Sequence, residues 1–120
     1  MNINKDMLKE HSENRTSDKR LMCDVYGIDR KQAYERALKI TGIFYKNKNH
    51  LGNRKLGFVA QEVAKQFPEV VIKDTDGIYH MNIEELLPVL FQALKYQNDV
   101  ISKLQEEVNA PLWKRLFKRK

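Results

Sequence analysis

LPVLFQALKYQNDVISKLQEEV, residues 87–108, decides the fold. Leu87, Leu90, Leu94, Gln97, Ile101, Leu104 and Val108 recur in alternating steps of three and four, the a/d spacing of a coiled coil. About 20 residues at 1.5 Å each make a rod of roughly 30 Å. A stripe of two residues in seven is narrow for a helix that covers its own core, so it predicts a helix meeting copies of itself. The competing reading is an amphipathic helix folded back on its own domain. Gln97, polar at a core position, costs some stability and fixes register. Pro88 has no amide hydrogen, so either a turn ends there or the long helix has Pro88 in its first turn. Asn82, with Glu85 three residues on, reads as an N-cap before it.

Upstream, the signals are short. Residues 1–16 are polar and are left without assigned structure. Leu21 to Ile28 reads as extended, with Leu21, Cys23, Val25 and Tyr26 as packing residues. Asp29 caps a helix carrying Ala33, Ala37 and Ile40 on one face, flanked by Tyr34 and Leu38 and stopped by Gly42. Gly42 to Lys46 reads as a strand, Lys46 to Lys55 as a polar loop, and Leu56 to Val59 as a second strand. A helix over Ala60 to Gln66 must stop near Phe67 because Pro68 follows. Val70 to Ile72 and Ile78 to His80 flank Asp76-Gly77, a pair that supplies the positive φ of a tight hairpin. The class is therefore α+β: a small mixed head with short helices and a β-hairpin, plus a long C-terminal helix.

Composition narrows the function. The chain has 120 residues and a net charge of +6. Residues 111–120 carry Lys114, Arg115, Lys118, Arg119 and Lys120 without an acid, leaving the other 110 residues at about +1. Basicity thus reads as a property of the tail, not of a groove across the domain. That tail also carries Leu112, Trp113, Leu116 and Phe117, an apolar strip opposite the cations. It reads first as a cap on the end of the coil. The compact part is roughly 65 residues, where a single core is marginal and self-association supplies burial. Cys23 is the only cysteine and reads as a small apolar filler. His11, His50 and His80 are scattered without metal-ligand spacing, so neither a metal nor another cofactor is expected. No apolar run approaches the length of a membrane span, and the N-terminus lacks a secretory pattern.

Three stretches in fixed order carry a resemblance: Ser17-Asp18-Lys19-Arg20-Leu21, then Gly57-Phe58-Val59-Ala60-Gln61-Glu62-Val63 with Phe67-Pro68-Glu69-Val70-Val71, then the heptad helix. Together they resemble the C-terminal intramolecular chaperone domain of bacteriophage tail spikes, tail fibres and endosialidases. The resemblance covers roughly residues 17–108, and residues 17–110 are taken as the domain, 1–16 as a stub and 111–120 as a basic tail. It implies a homotrimer joined by the coil, and a β-rich fibre or spike as client, with no small-molecule ligand. Contact with nucleic acid or membrane through the tail is not expected. The setting is the bacterial host cytoplasm during virion assembly, or the virion tail if the domain is never released.

The family's module begins Ser-Asp-x-x-Leu-Lys, and it is a single-turnover serine autoproteinase. The serine attacks the peptide bond on its N-terminal side and the lysine serves as its base, a role that needs a lowered lysine pKa. Carried over, Ser17 is the nucleophile and Thr16–Ser17 the bond. The base position holds Met22, a thioether that takes no proton. In an extended segment Lys19 would share a face with Ser17, whereas position 22 would not. The resemblance therefore implies a chaperone that does not cleave itself. The alternatives are an active autoproteinase using Lys19 or another base, and a basic adaptor acting through residues 111–120. Gly57, Phe58, Ala60, Gln61 and Glu62 form the most specific motif. The small Gly57 and Ala60 suit a close strand-to-helix turn, and Gln61 and Glu62 could satisfy exposed amides or grip the fibre.

Overall fold

A computed structural model describes residues 2–3 and 17–117. The chain is elongated, with a radius of gyration of 20.1 Å and extents of 64 × 41 × 24 Å, against about 13–14 Å for a compact chain of this length.

Helix α1, Arg30–Ala37, starts where the Asp29 carboxylate accepts the Gln32 amide, satisfying a donor that the first turn leaves free. It ends earlier than expected: Leu38 is its C-cap, and Ile40 packs against the core from beyond the helix. Strand β2 is Ile43–Asn47, and it pairs antiparallel with β3, His50–Gly57. The polar loop expected over Lys46 to Lys55 is therefore mostly a strand, and Phe58 and Val59 lie outside it. The Asn47 side chain accepts the Asn49 amide and closes the turn, and the register shifts between Tyr45 and Asn47. Among the described residues this ribbon joins no other strand, so its residues alternate between two wet faces and show no apolar period. It also gathers Lys46, Lys48, Arg54 and Lys55 in an acid-free stretch from 43 to 57, a second concentration of positive charge in addition to that of the tail.

Helix α2, Ala60–Gln66, ends as expected: Phe67, with φ −133° and ψ 68°, leaves helical geometry ahead of Pro68. Pro68–Val70 then makes a 3-10 turn into β4, Val71–Asp74, which pairs antiparallel with β5, Tyr79–Met81. Gly77, at φ +81°, makes the turn between them. The two-residue strand β1, Asn2–Ile3, adds parallel to β4. The rest of the N-terminal stub, residue 1 and residues 4–16, lies outside the described residues.

After β5, Asn82 caps a 3-10 turn over Ile83–Glu85 through its backbone, without the side-chain bond its identity suggested. Helix α3, Leu86–Asn109, follows unbroken, about 36 Å at 1.5 Å per residue. Pro88 is its third residue, where the amide would have no partner inside the helix in any case. The core is the meeting of Ala33 from α1, Val63 and Phe67 around α2, Val70, and Leu86, Val89 and Ala93 from α3. Tyr34, Ala37, Phe58, Val71 and Met81 pack around it.

One expectation fails outright. Leu21, Cys23, Val25 and Tyr26 do not pack on this core, and all four are exposed. Their segment is bent by Asp24 at φ +49°, a conformation that Asp tolerates better than most residues. Among the described residues no surface covers these apolar side chains.

Candidate functional site

Helix α3 has two apolar faces, and among the described residues only one is covered. Leu86, Val89 and Ala93 are buried against the head. On the same side the Tyr96 ring meets Tyr34 at 5.1 Å between centroids, tilted by 42°. Gln92 Nε2 donates to the Ile28 carbonyl at 3.0 Å, and Arg30 pairs with Asp99 at 2.9 Å. These contacts clamp α1 and the residue Ile28 before it to α3 between Gln92 and Asp99. One position on, about 100° round the helix, lies the heptad stripe. Leu87, Leu90, Leu94, Ile101, Leu104 and Val108 are 47–69% exposed, and Gln97 is exposed with them. The helix does lie on its own domain, but through a row that leaves the stripe open.

A second candidate lies at the start of the described head. Lys19–Leu21 is a 3-10 turn, which replaces the extended geometry expected there and with it the alternation that placed Lys19 beside Ser17. Asp18 caps the turn, accepting the Arg20 amide at 2.9 Å, and its carboxylate holds the Arg20 guanidinium at 2.7 Å. The Arg20 side chain, then its amide, keeps the Asp18 carboxyl below the usual carboxylate range. Ser17 and Lys19 are exposed, and the amide of the half-exposed Met22 donates to the Lys19 carbonyl at 3.2 Å. Thr16, and with it one side of the bond that the resemblance marks for cleavage, lies outside the described residues.

The central motif is structural in its first half. A Cβ added to Gly57 would lie 2.9 Å from Tyr45 Cε1, so the glycine admits the ring that crosses the ribbon. Phe58 packs on the core and Ala60 opens α2. Gln61 and Glu62 face solvent, and no side chain caps the start of α2, so their expected service to exposed amides is not what holds this turn.

Two polar nodes were not anticipated from the sequence. Arg36 reaches from α1 to the end of α2. Its Nε donates to the Gln66 carbonyl at 2.6 Å and its Nη2 bonds the same oxygen. Nη2 also pairs with Glu69 at 2.9 Å, while the guanidinium lies 4.2 Å from the centre of the buried Phe67 ring. The other node is Asp74, fully buried in its side chain. Its Oδ1 accepts the Asp76 and Ile78 amides at 2.9 and 3.0 Å, and its Oδ2 meets His80 Nε2 at 2.7 Å. The His80 ring, followed by the Ile78 amide, holds the Asp74 carboxyl below its ordinary value. The available signal was Asp74-Thr75-Asp76-Gly77, an Asp opening a turn.

The structure is thus a small α+β head clamped beside a long helix whose heptad stripe is exposed. The sequence profile of the family described as the chaperone of endosialidase matches residues 17–72. That match supports a chaperone domain like the C-terminal one of phage tail fibres and endosialidases over those residues. The match begins at Ser17 and stops in β4, so the stripe on α3 stands on the structure alone. No curated protein matches the chain.

Proposed function

We propose that the chain is a homotrimeric folding chaperone for a β-rich phage tail fibre or spike, and that it does not release itself by cleavage. The observation that carries this is the division of α3 into a buried row and an open stripe. Covering the exposed half of six apolar side chains in a coil stabilises by roughly 4–9 kcal/mol per chain, at about 1.5–3 kcal/mol per fully buried residue. Leu21, Val25, Tyr26 and Ile28, exposed along the N-terminal segment, offer a neighbouring protomer further apolar surface. Interwound β-fibres nucleate slowly because their pairings are distant and their register is ambiguous. Three chains joined by a coil start side by side, at a high effective concentration. The setting is the host cytoplasm during assembly, with the domain kept on the tail. Met22 at the base position supports the uncleaved state: its thioether takes no proton from Ser17.

The test is a fusion of a triple-stranded fibre segment ahead of this chain. Wild type yields soluble, detergent-resistant fibre trimers, and Leu94→Asp with Ile101→Asp abolishes that yield while far-UV circular dichroism shows the head still folded. Equal yields from both would refute the reading. In the same preparation the wild-type mass stays intact, whereas a fragment beginning at Ser17 would contradict the uncleaved state.

A further inference from the structure

The residues after α3 are out of phase with its stripe. Steps of three and four carried past Val108 fall on Pro111 and Arg115, so a coil formed through the stripe does not use the apolar residues that follow. The helix also breaks there. Ala110 turns extended, with ψ 144°, and a new short helix α4, Leu112–Phe117, begins after Pro111, with the Arg115 amide donating to the Pro111 carbonyl.

At 100° per residue, Leu112, Leu116, Trp113 and Phe117 fall within an arc of about 140°, with Lys114 and Arg115 on the opposite side. Trp113 and Phe117 are 60% and 82% exposed. From Val108 to Lys120 the chain holds five cations and no acid. Three occupants could cover such a face. A second copy of α4 would bring five cations against five. Nucleic acid would satisfy the cations and leave four large apolar side chains in water. An anionic lipid surface meets both halves: acyl chains take the apolar arc, phosphates take the cations, and an indole sits well at the boundary between them. No helix among the described residues is long and apolar enough to cross a membrane, so the segment would lie on the surface.

We propose that residues 111–117, built on α4, form a membrane-surface segment that binds anionic phospholipid. This reading stands apart from the chaperone proposal, and if three chains assemble, three such segments act together and tighten binding.

Trp113 is the only tryptophan in the chain, so its emission reports on this segment alone. The full chain is mixed with vesicles of phosphatidylcholine, or of phosphatidylcholine with about one-third phosphatidylglycerol, an anionic content that attracts polybasic segments. The expected result is a blue shift and co-sedimentation with the anionic vesicles, on the order of tenfold tighter than with the neutral ones and weakened by salt. Leu112→Glu with Phe117→Glu removes both signals, leaves Trp113 in place, and keeps the oligomeric state of wild type. The proposal is overturned if anionic vesicles cause no shift. It is overturned equally if Trp113 is already blue-shifted without lipid in proportion to protein concentration, which marks self-contact. Tight binding to duplex DNA that survives the double substitution, with no response to vesicles, would assign the tail to nucleic acid instead.

Discussion

Removing the Arg36 side chain tests whether the head is held together as described. One guanidinium closes the end of α2, pairs with Glu69 and covers the Phe67 ring. The bond to the Gln66 carbonyl is charge-assisted and part-buried, a type worth about 1.5–3 kcal/mol. The Glu69 pair is 2.9 Å long but its side chains are 35% and 55% exposed, which limits it to about 0–1 kcal/mol. The cation over Phe67, at 4.2 Å, adds about 0.5–2 kcal/mol. These contributions share one side chain and do not add in full, so Arg36→Ala should cost about 2–3 kcal/mol. That is a large fraction of a stability of about 5–15 kcal/mol. Urea titration at one fixed protein concentration is the assay, since any association would couple stability to concentration. Glu69→Gln isolates the ion pair and should cost less than about 1 kcal/mol. Arg36→Lys keeps a charge near Glu69 but loses the planar fork and the stacking, and should recover little. A loss below about 0.5 kcal/mol for Arg36→Ala would refute the clamp. So would a Glu69→Gln variant as unstable as Arg36→Ala, because the exposed pair would then carry the effect.

Other expectations follow from single residues. The Asp74 carboxyl is depressed in the folded state, so its contribution is present above the ordinary value near about 4 and is lost as pH falls through the lower folded value. Asp74→Asn should therefore flatten the acid limb of a stability profile between about pH 5 and pH 2, and an unchanged limb would count against the node. Gly57→Val places side-chain atoms against the Tyr45 ring and should lower stability by about 1–3 kcal/mol by urea titration, with Tyr45→Ala restoring part of the loss. Met22→Lys restores the missing base position. If position 22 alone blocks the reaction, mass spectrometry of that variant finds a product beginning at Ser17 that Ser17→Ala abolishes, and an intact mass would place the block elsewhere.

What could be read from the sequence was mostly local. The Asp29 cap, the helix from Ala60 to Gln66 and its stop before Pro68, and Asp76-Gly77 each depend on neighbours within a few residues, and each appears where expected. The long helix was legible from its period. Strand β3 was not, because a two-stranded ribbon wetted on both faces has no reason to alternate, and His50 to Lys55 reads as loop chemistry. Leu21, Val25 and Tyr26 misled in the opposite sense. Apolar residues in an extended segment announce burial but not whose surface buries them. The row Leu86, Val89 and Ala93 was overshadowed by the stripe one residue away, since both fit a helical period and only the packed head says which is taken. Arg36 and Asp74 depend on partners that the fold brings together, Gln66 thirty positions from Arg36 and a turn that closes over the Asp74 carboxylate, so neither stood out among ordinary surface charges.

The account depends on what the open side of α3 meets in solution. Sedimentation equilibrium of the wild-type chain at micromolar concentration measures this directly. The predicted particle has three times the 14.2 kDa mass of one chain and reverts to one chain in the Leu94→Asp, Ile101→Asp variant. A wild-type particle of 14.2 kDa would contradict it.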